Sequence, residues 1–398
     1  MTTRMRIATL CTVAATVVLA AAGVGVAVSG STGHGHAAGE HAGHIDADAS
    51  ATPLRHATLT ASSCGGPAGA AYVADPGYQG FTAVDTSDCQ VVQTYNVDDL
   101  QVPGDTGDYN YVGTDEGIAL SGTTLWFAVT GTDNVAAINT TTLNPSDYNP
   151  AETLVPVGFM PEALAATPDG SQVWVIDSGP QTTTSPLWDV EVIDTASDTV
   201  TGRLQLVGDP TDVAFSPDGQ EAYVTTSGGL SIYQVSSERQ VGFVPGLGSP
   251  KSVAVAPNGS AVYVTETDAN ELATINTTND RVVRTTPVGQ EPWQSVVSSD
   301  GSTVYVANPD SDSVSVVNAG SGKVENTYTL PGNPDTLGLT PDGSQLWVAG
   351  NDSGVLTVVD TATGQEVGST NLGGDGPNSG DGLDPTGIVL TATPTATG

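Results

Sequence analysis

Seven times along the chain a short apolar segment built round one aromatic residue returns. The copies are Ala71-Tyr72-Val73, Leu125-Trp126-Phe127, Val173-Trp174-Val175, Ala222-Tyr223-Val224, Val262-Tyr263-Val264, Val304-Tyr305-Val306 and Leu346-Trp347-Val348. The last four stand 40 to 42 residues apart. A period of that size marks one supersecondary unit that cannot bury its apolar faces alone and must stack on copies of itself. Five copies follow a turn at the same offset: Pro168-Asp169-Gly170, Pro217-Asp218-Gly219, Pro257-Asn258-Gly259, Ser299-Asp300-Gly301 and Pro341-Asp342-Gly343. Proline presets one turn dihedral, Asp or Asn bonds the local backbone, and glycine takes the positive φ. A third strand comes next, as in Val314-Ser315-Val316-Val317-Asn318, then a Thr/Gly turn and a fourth that begins at Lys323. Four short strands per repeat form one twisted sheet, and seven such sheets stacked radially leave only short edges. The expected fold is all-β, a seven-bladed β-propeller with four-stranded blades.

The chain ends predict how the ring closes. The first aromatic copy has no inner strand before it. The last is followed by Asp384-Pro385-Thr386-Gly387-Ile388-Val389-Leu390, an inner strand with no blade after it. That strand is expected to complete the first blade. Cys64 precedes the second strand of that blade, and Cys89 lies between its third and fourth strands. Both turns fall on one face of an antiparallel blade, so a Cys64–Cys89 disulfide is expected, worth about 3 kcal/mol in the loop-entropy account.

The series of Gly-x-Pro, apolar strand, Pro-Asp-Gly, Tyr-Val-Ala/Thr-Asn strand and Val-Asp-Thr strand resembles the YVTN-repeat (surface-layer/YncE-like) β-propeller family. The resemblance covers about residues 65 to 392. Blades two and three depart from it by longer inserts, and blade two has Ser121-Gly122 in place of the full turn.

Ahead of the repeats, Arg4 and Arg6 precede an uncharged, mostly apolar run from Ile7 to Val28. This has the form of an export signal with cleavage after Ser29 or Ala37, or of a retained membrane anchor. Cys11 lacks a lipobox. The organisation read from the chain is therefore 1–37 signal peptide or anchor, 38–62 His/Ala/Gly-rich linker, 63–392 propeller and 393–398 frayed tail. The protein is expected to be secreted or cell-surface. With the leader removed, two cysteines remain, an even count that suits an oxidising compartment.

Charge limits the partners. Nine Lys and Arg stand against 44 Asp and Glu, a formal net charge of −35. Such a surface repels phosphate backbones, so nucleic acid is excluded as a partner, and anionic membrane surfaces are disfavoured once the leader is gone. A protein, peptide or cell-envelope ligand is expected instead, bound by a monomer.

The connections between blades and the loops between second and third strands share one face, round the mouth of the central channel. The strand-start residues on that rim read as Glu116, Glu162, Asp212, Lys251, Trp293, Asp335 and Thr386. Glu162, Asp212 and Asp335 are the candidate ligands for Ca²⁺ or another divalent cation. Each could equally be a solvated strand-start residue that never meets the others. Acidic inserts at 98–115, 178–189 and 373–384 fall on the same face, where recognition usually resides. Asp105-x-x-Asp108-x-Asn110 and the stretch from Asp375 to Asp384 do not match EF-hand spacing. In the linker, His34, His36, His41 and His44 form a short tract of metal-binding composition.

Catalysis has little to build on. No His follows His56, and no Gly-x-Ser-x-Gly elbow, phosphate loop or dinucleotide fingerprint occurs. This excludes a Ser-His-Asp triad within the propeller. The function expected is a non-catalytic extracytoplasmic binding scaffold. The alternative is a metal-dependent hydrolase or lactonase using carboxylates at the channel.

Overall fold

The computed structural model describes residues 64, 69–75, 80–96, 117–143, 153–177, 188–206, 208–350, 354–372 and 386–391. Seven four-stranded antiparallel sheets account for the strands among them. The inner strands of blades 2 to 7 are Ile118–Ser121, Pro161–Ala166, Pro210–Phe215, Pro250–Val255, Ser295–Val297 and Pro334–Leu339. Each packs beside the next. The strand Gly387–Thr391 lies between Pro334–Leu339 and Ile118–Ser121 and closes the circle.

Blade 1 is the predicted composite. Ala70–Asp75 pairs with Gly387–Thr391 on one side, Tyr72 opposite Val389, and with Gly80–Asp85 on the other. The disulfide joins Cys64 to Cys89 with Cα atoms 5.7 Å apart. It lies on the closing seam, because both sulfurs face Gly368 of blade 7 and Gln345 Nε2 of that blade donates to the Cys64 carbonyl at 2.8 Å. The crosslink therefore ties the entering end of the chain to the last blade.

Each repeated aromatic occupies the third place of its blade's second strand, and all seven are buried. Alternation explains this. Positions two apart share a face, and the largest side chains fill the wedge between neighbouring blades. The Pro-Asp-Gly turns form as expected. Gly170, Gly219, Gly301 and Gly343 take φ of 69 to 71°, and the aspartate before each answers local donors. Asp169 Oδ1, for example, accepts from the Ser171 amide at 3.0 Å and the Thr167 hydroxyl at 2.7 Å. Those bonds hold its carboxyl below the usual range, the Ser171 amide most.

Inner edges pose a problem that the repeat solves in one way. An unpaired strand edge leaves backbone amides to be satisfied. Asp212 on blade 4 accepts from the Val253 amide of blade 5 at 2.8 Å. Ser252 on blade 5 accepts from the Ser295 amide of blade 6 at 3.3 Å. Gln294 on blade 6 accepts from the Leu337 amide of blade 7. Three successive blades are stapled by the same slot.

Candidate functional site

Counted from the proline at or just before the inner strands of blades 3 to 7, Glu162, Thr211, Lys251, Trp293 and Asp335 hold the first position. In blades 3, 4 and 7 that residue is skipped by the strand register. Pro161 faces Asp177 and Ala163 faces Ile176; Pro210 and Asp212 face Thr226 and Thr225; Pro334 and Thr336 face Gly350 and Ala349. Blade 5 carries the same irregularity between Pro250 and Val253. A bulge re-aims its side chain out of the ladder. Here it does so at the loop end of the inner strands.

Asp212 holds the second position, one residue deeper. Its carboxylate accepts from its neighbour's amide at Val213, 2.7 Å away, as well as from Val253. Asp212 is thus a staple between blades, fully buried, and Thr211 stands in its place on the rim. The Thr211 hydroxyl donates to the Pro250 carbonyl at 3.1 Å. Among the described residues no group of three or more His, Cys, Asp or Glu is arranged to hold a metal ion, so Glu162, Asp212 and Asp335 do not form one. Glu116, His34, His36, His41 and His44 lie outside the described residues, as do most of the acidic inserts.

Two corners of the mouth differ in chemistry. On blades 5 and 6, Lys251 and Trp293 meet directly. The ammonium nitrogen sits 3.7 Å from the indole centroid. Both side chains are nearly buried, at 3% and 5% exposure. A desolvated cation over an indole face is worth about 2 kcal/mol. Trp293 is held from behind by the Thr265 hydroxyl, which donates to its carbonyl at 2.7 Å. Among the described residues its Nε1–H has no hydrogen-bond partner, nor does the Nε2 amide of Gln294 on the same strand segment. Asp209, at the entry to blade 4, is pushed up to about 6 by burial, with Lys251 pulling the other way.

On blade 3 the chemistry is acidic. Asp177, at the end of the second strand, faces Asp189 on the third. Glu191 lies two residues further along the same face, opposite Arg203 on the outer strand. Arg203 pairs with Glu191, and with Asp189 at 3.6 Å. Asp177 is fully buried, and neither of its oxygens has a hydrogen bond among the described residues. Burial pushes its carboxyl well above the ordinary range. Arg203 opposes the shift, and the charges of Asp189, Asp133 and Glu162 add to it. This cluster was not anticipated. The visible signal was Glu191 on the third strand, where the matching places in the other blades hold Thr82, Ala136, Ser231, Ala273, Ser315 and Thr357.

No family model matches the chain, and no curated protein matches it. Solved structures share its fold. One is hydrazine synthase from Kuenenia stuttgartiensis, 20% identical, with a TM-score of 0.51 over 61% of this chain and 75% of that one. Another is a functionally unknown protein from Desulfotomaculum acetoxidans DSM 771. It is 14% identical, with a TM-score of 0.64 over 80% of this chain and 98% of that one. Likeness at such identity speaks to the fold alone, and with the seven described sheets it makes this chain a seven-bladed β-propeller. No helix among the described residues is long and apolar enough to cross a membrane.

Proposed function

We propose that this chain is a secreted, YVTN-type propeller that serves as a non-catalytic binding scaffold. Its ligand is a protein, peptide or cell-envelope component held over the channel mouth. The observation that carries this reading is the recurrent bulge at the start of the inner strands. It recurs at Glu162, Thr211, Lys251 and Asp335, and side-chain staples one residue deeper tie blades 4 to 7 together. A rigid frame bearing varied polar side chains at equivalent places is suited to recognition. The YVTN resemblance and the paired cysteines support an extracytoplasmic setting. The metal-dependent hydrolase reading draws no support from the described carboxylates.

The test is a binding screen of the full chain against short peptides and cell-envelope glycans, repeated with Glu162→Gln, Lys251→Met and Asp335→Asn. A ligand whose affinity falls in these variants, at unchanged melting temperature, supports the scaffold. Turnover of an ester or lactone with added Ca²⁺ or Zn²⁺ that Glu162→Gln abolishes would overturn it.

A further inference from the structure

The Lys251–Trp293 contact presents two hydrogen-bond donors, an ammonium over the indole face and an indole N–H with no partner among the described residues. An ammonium and an indole N–H can give protons and cannot accept them. Both side chains are at least nine-tenths buried. A buried donor with nothing to bond costs about 1–3 kcal/mol, and such groups in a folded protein call for an explanation. The surroundings sharpen the point. In a chain of net charge −35, acceptors are abundant and the lysine is stacked on the indole that carries the unmet N–H.

We propose that this corner binds the carboxylate of a ligand, with Lys251 Nζ and Trp293 Nε1–H meeting its oxygens. The inference rests on the reading of the loop face as the binding face and names the chemistry of one part of its ligand. A carboxylate matches the donors in charge and form. It brings one negative charge to one lysine, and two planar oxygens to adjacent donors. A phosphate dianion would bring a second charge into a strongly acidic molecule with no second cation at the corner. Asp209 is the built-in competitor. Burial pushes its carboxyl up to about 6, against the pull of the Lys251 ammonium. Its ionised form draws on the same ammonium that the ligand needs, so binding tightens as pH falls from 7 to 5.5, above the range where the ligand itself loses its charge.

The chain holds five tryptophans, so the indole N–H signals of the ¹⁵N-labelled full chain can be resolved by NMR. Trp293→Phe assigns the relevant one by its loss. The probes are N-acetylglycine against N-acetylglycinamide, and glucuronate against glucose. The expected result is that a carboxylate probe moves the Trp293 N–H signal saturably and its neutral partner does not. The tighter of the two acids tells a peptide source from a glycan source. Lys251→Met should weaken the effective acid about tenfold, and Asp209→Asn should remove the pH dependence. Trp293→Phe keeps an aromatic face for the lysine and lacks only the donor, so its loss of binding at unchanged melting temperature speaks for the N–H itself. If both acids leave the Trp293 signal in place, or acid and neutral partner move it equally, the carboxylate assignment is wrong. The scaffold reading would survive that outcome if another ligand shifts residues elsewhere on the same face.

Discussion

Asp177 and Asn308 occupy the same slot, the last residue of the second strand in blades 3 and 6. Both are fully buried. The Asn308 amide closes its own hairpin, with Nδ2 donating to the carbonyls of Val306 at 3.0 Å and Ser313 at 3.1 Å and to the Ser315 hydroxyl at 3.1 Å. The Asp177 carboxylate receives no donor among the described residues, and it sits among other acids. Asn308 Oδ1 also lacks a partner among the described residues, but its NH₂ is answered, so the one slot braces the blade 6 hairpin and leaves a carboxylate unanswered in blade 3. The same contrast separates the donor corner of blades 5 and 6 from the acidic corner of blade 3. The repeat supplies the positions, and the residue placed there decides whether a position is structural or reactive.

Three substitutions would break or sharpen this contrast. The largest effect is expected at Asp212, which stands between the corners as a pure staple. Asp212→Ala leaves the buried Val213 and Val253 amides without their acceptor and should cost about 3 kcal/mol of unfolding free energy, read from urea denaturation. A loss below about 1 kcal/mol would mean that the staple is dispensable and that Asp212 serves the mouth after all.

Next comes Asp177→Asn, which gives blade 3 the residue of blade 6. Removing a buried, unbonded carboxylate should stabilise the fold by about 2 kcal/mol at neutral pH. The sign follows from linkage. A carboxyl raised in the folded state takes up its proton there more readily than in the unfolded chain. Its favourable contribution is complete below the unfolded value and is lost as pH rises through the folded one. Wild-type stability should therefore climb as pH falls from neutral, and the variant should lack that part of the climb. A destabilised variant would show instead that the charge at Asp177 is used.

The smallest effect belongs to Asp209. Its carboxyl is raised from 3.8 to about 6, so its contribution is present below about 4 and fades as pH passes 6. Asp209→Asn should add about 1 kcal/mol at pH 7, after allowance for partial solvent screening, and nothing near pH 4. Equal effects at both pH values would mean that burial does not raise the Asp209 carboxyl.

Much of this molecule was legible beforehand because it is built from short-range rules. Period-two alternation, an aromatic at a fixed place and a Pro-Asp-Gly turn are local, and repeating them makes the ring unavoidable. The orphan strand after Asp384 and the positions of Cys64 and Cys89 followed from counting repeats, and both pairings are present. The site was legible only in part. Glu162, Lys251, Trp293 and Asp335 are legible as the residues that directly follow the proline before an inner strand, whereas Asp212 stands second after Pro210, where the same count gives Thr211. The bulge itself leaves no mark in the sequence. A shift of one residue turns a side chain from the rim to the seam between blades.

The sequence by itself determined the number of blades, the closing strand and the disulfide, since each depends on residues related by turns and by a regular period. Only the tertiary structure decided that Lys251 lies on Trp293, that Asp209 shares its field, and that Asp177 is buried without a donor. Those contacts join residues from different strands or blades, and their geometry is set by bulges and by packing across the seams. The physical reason is one of range: backbone alternation propagates along a strand, whereas the chemistry of a buried charge depends on every group that folding brings round it.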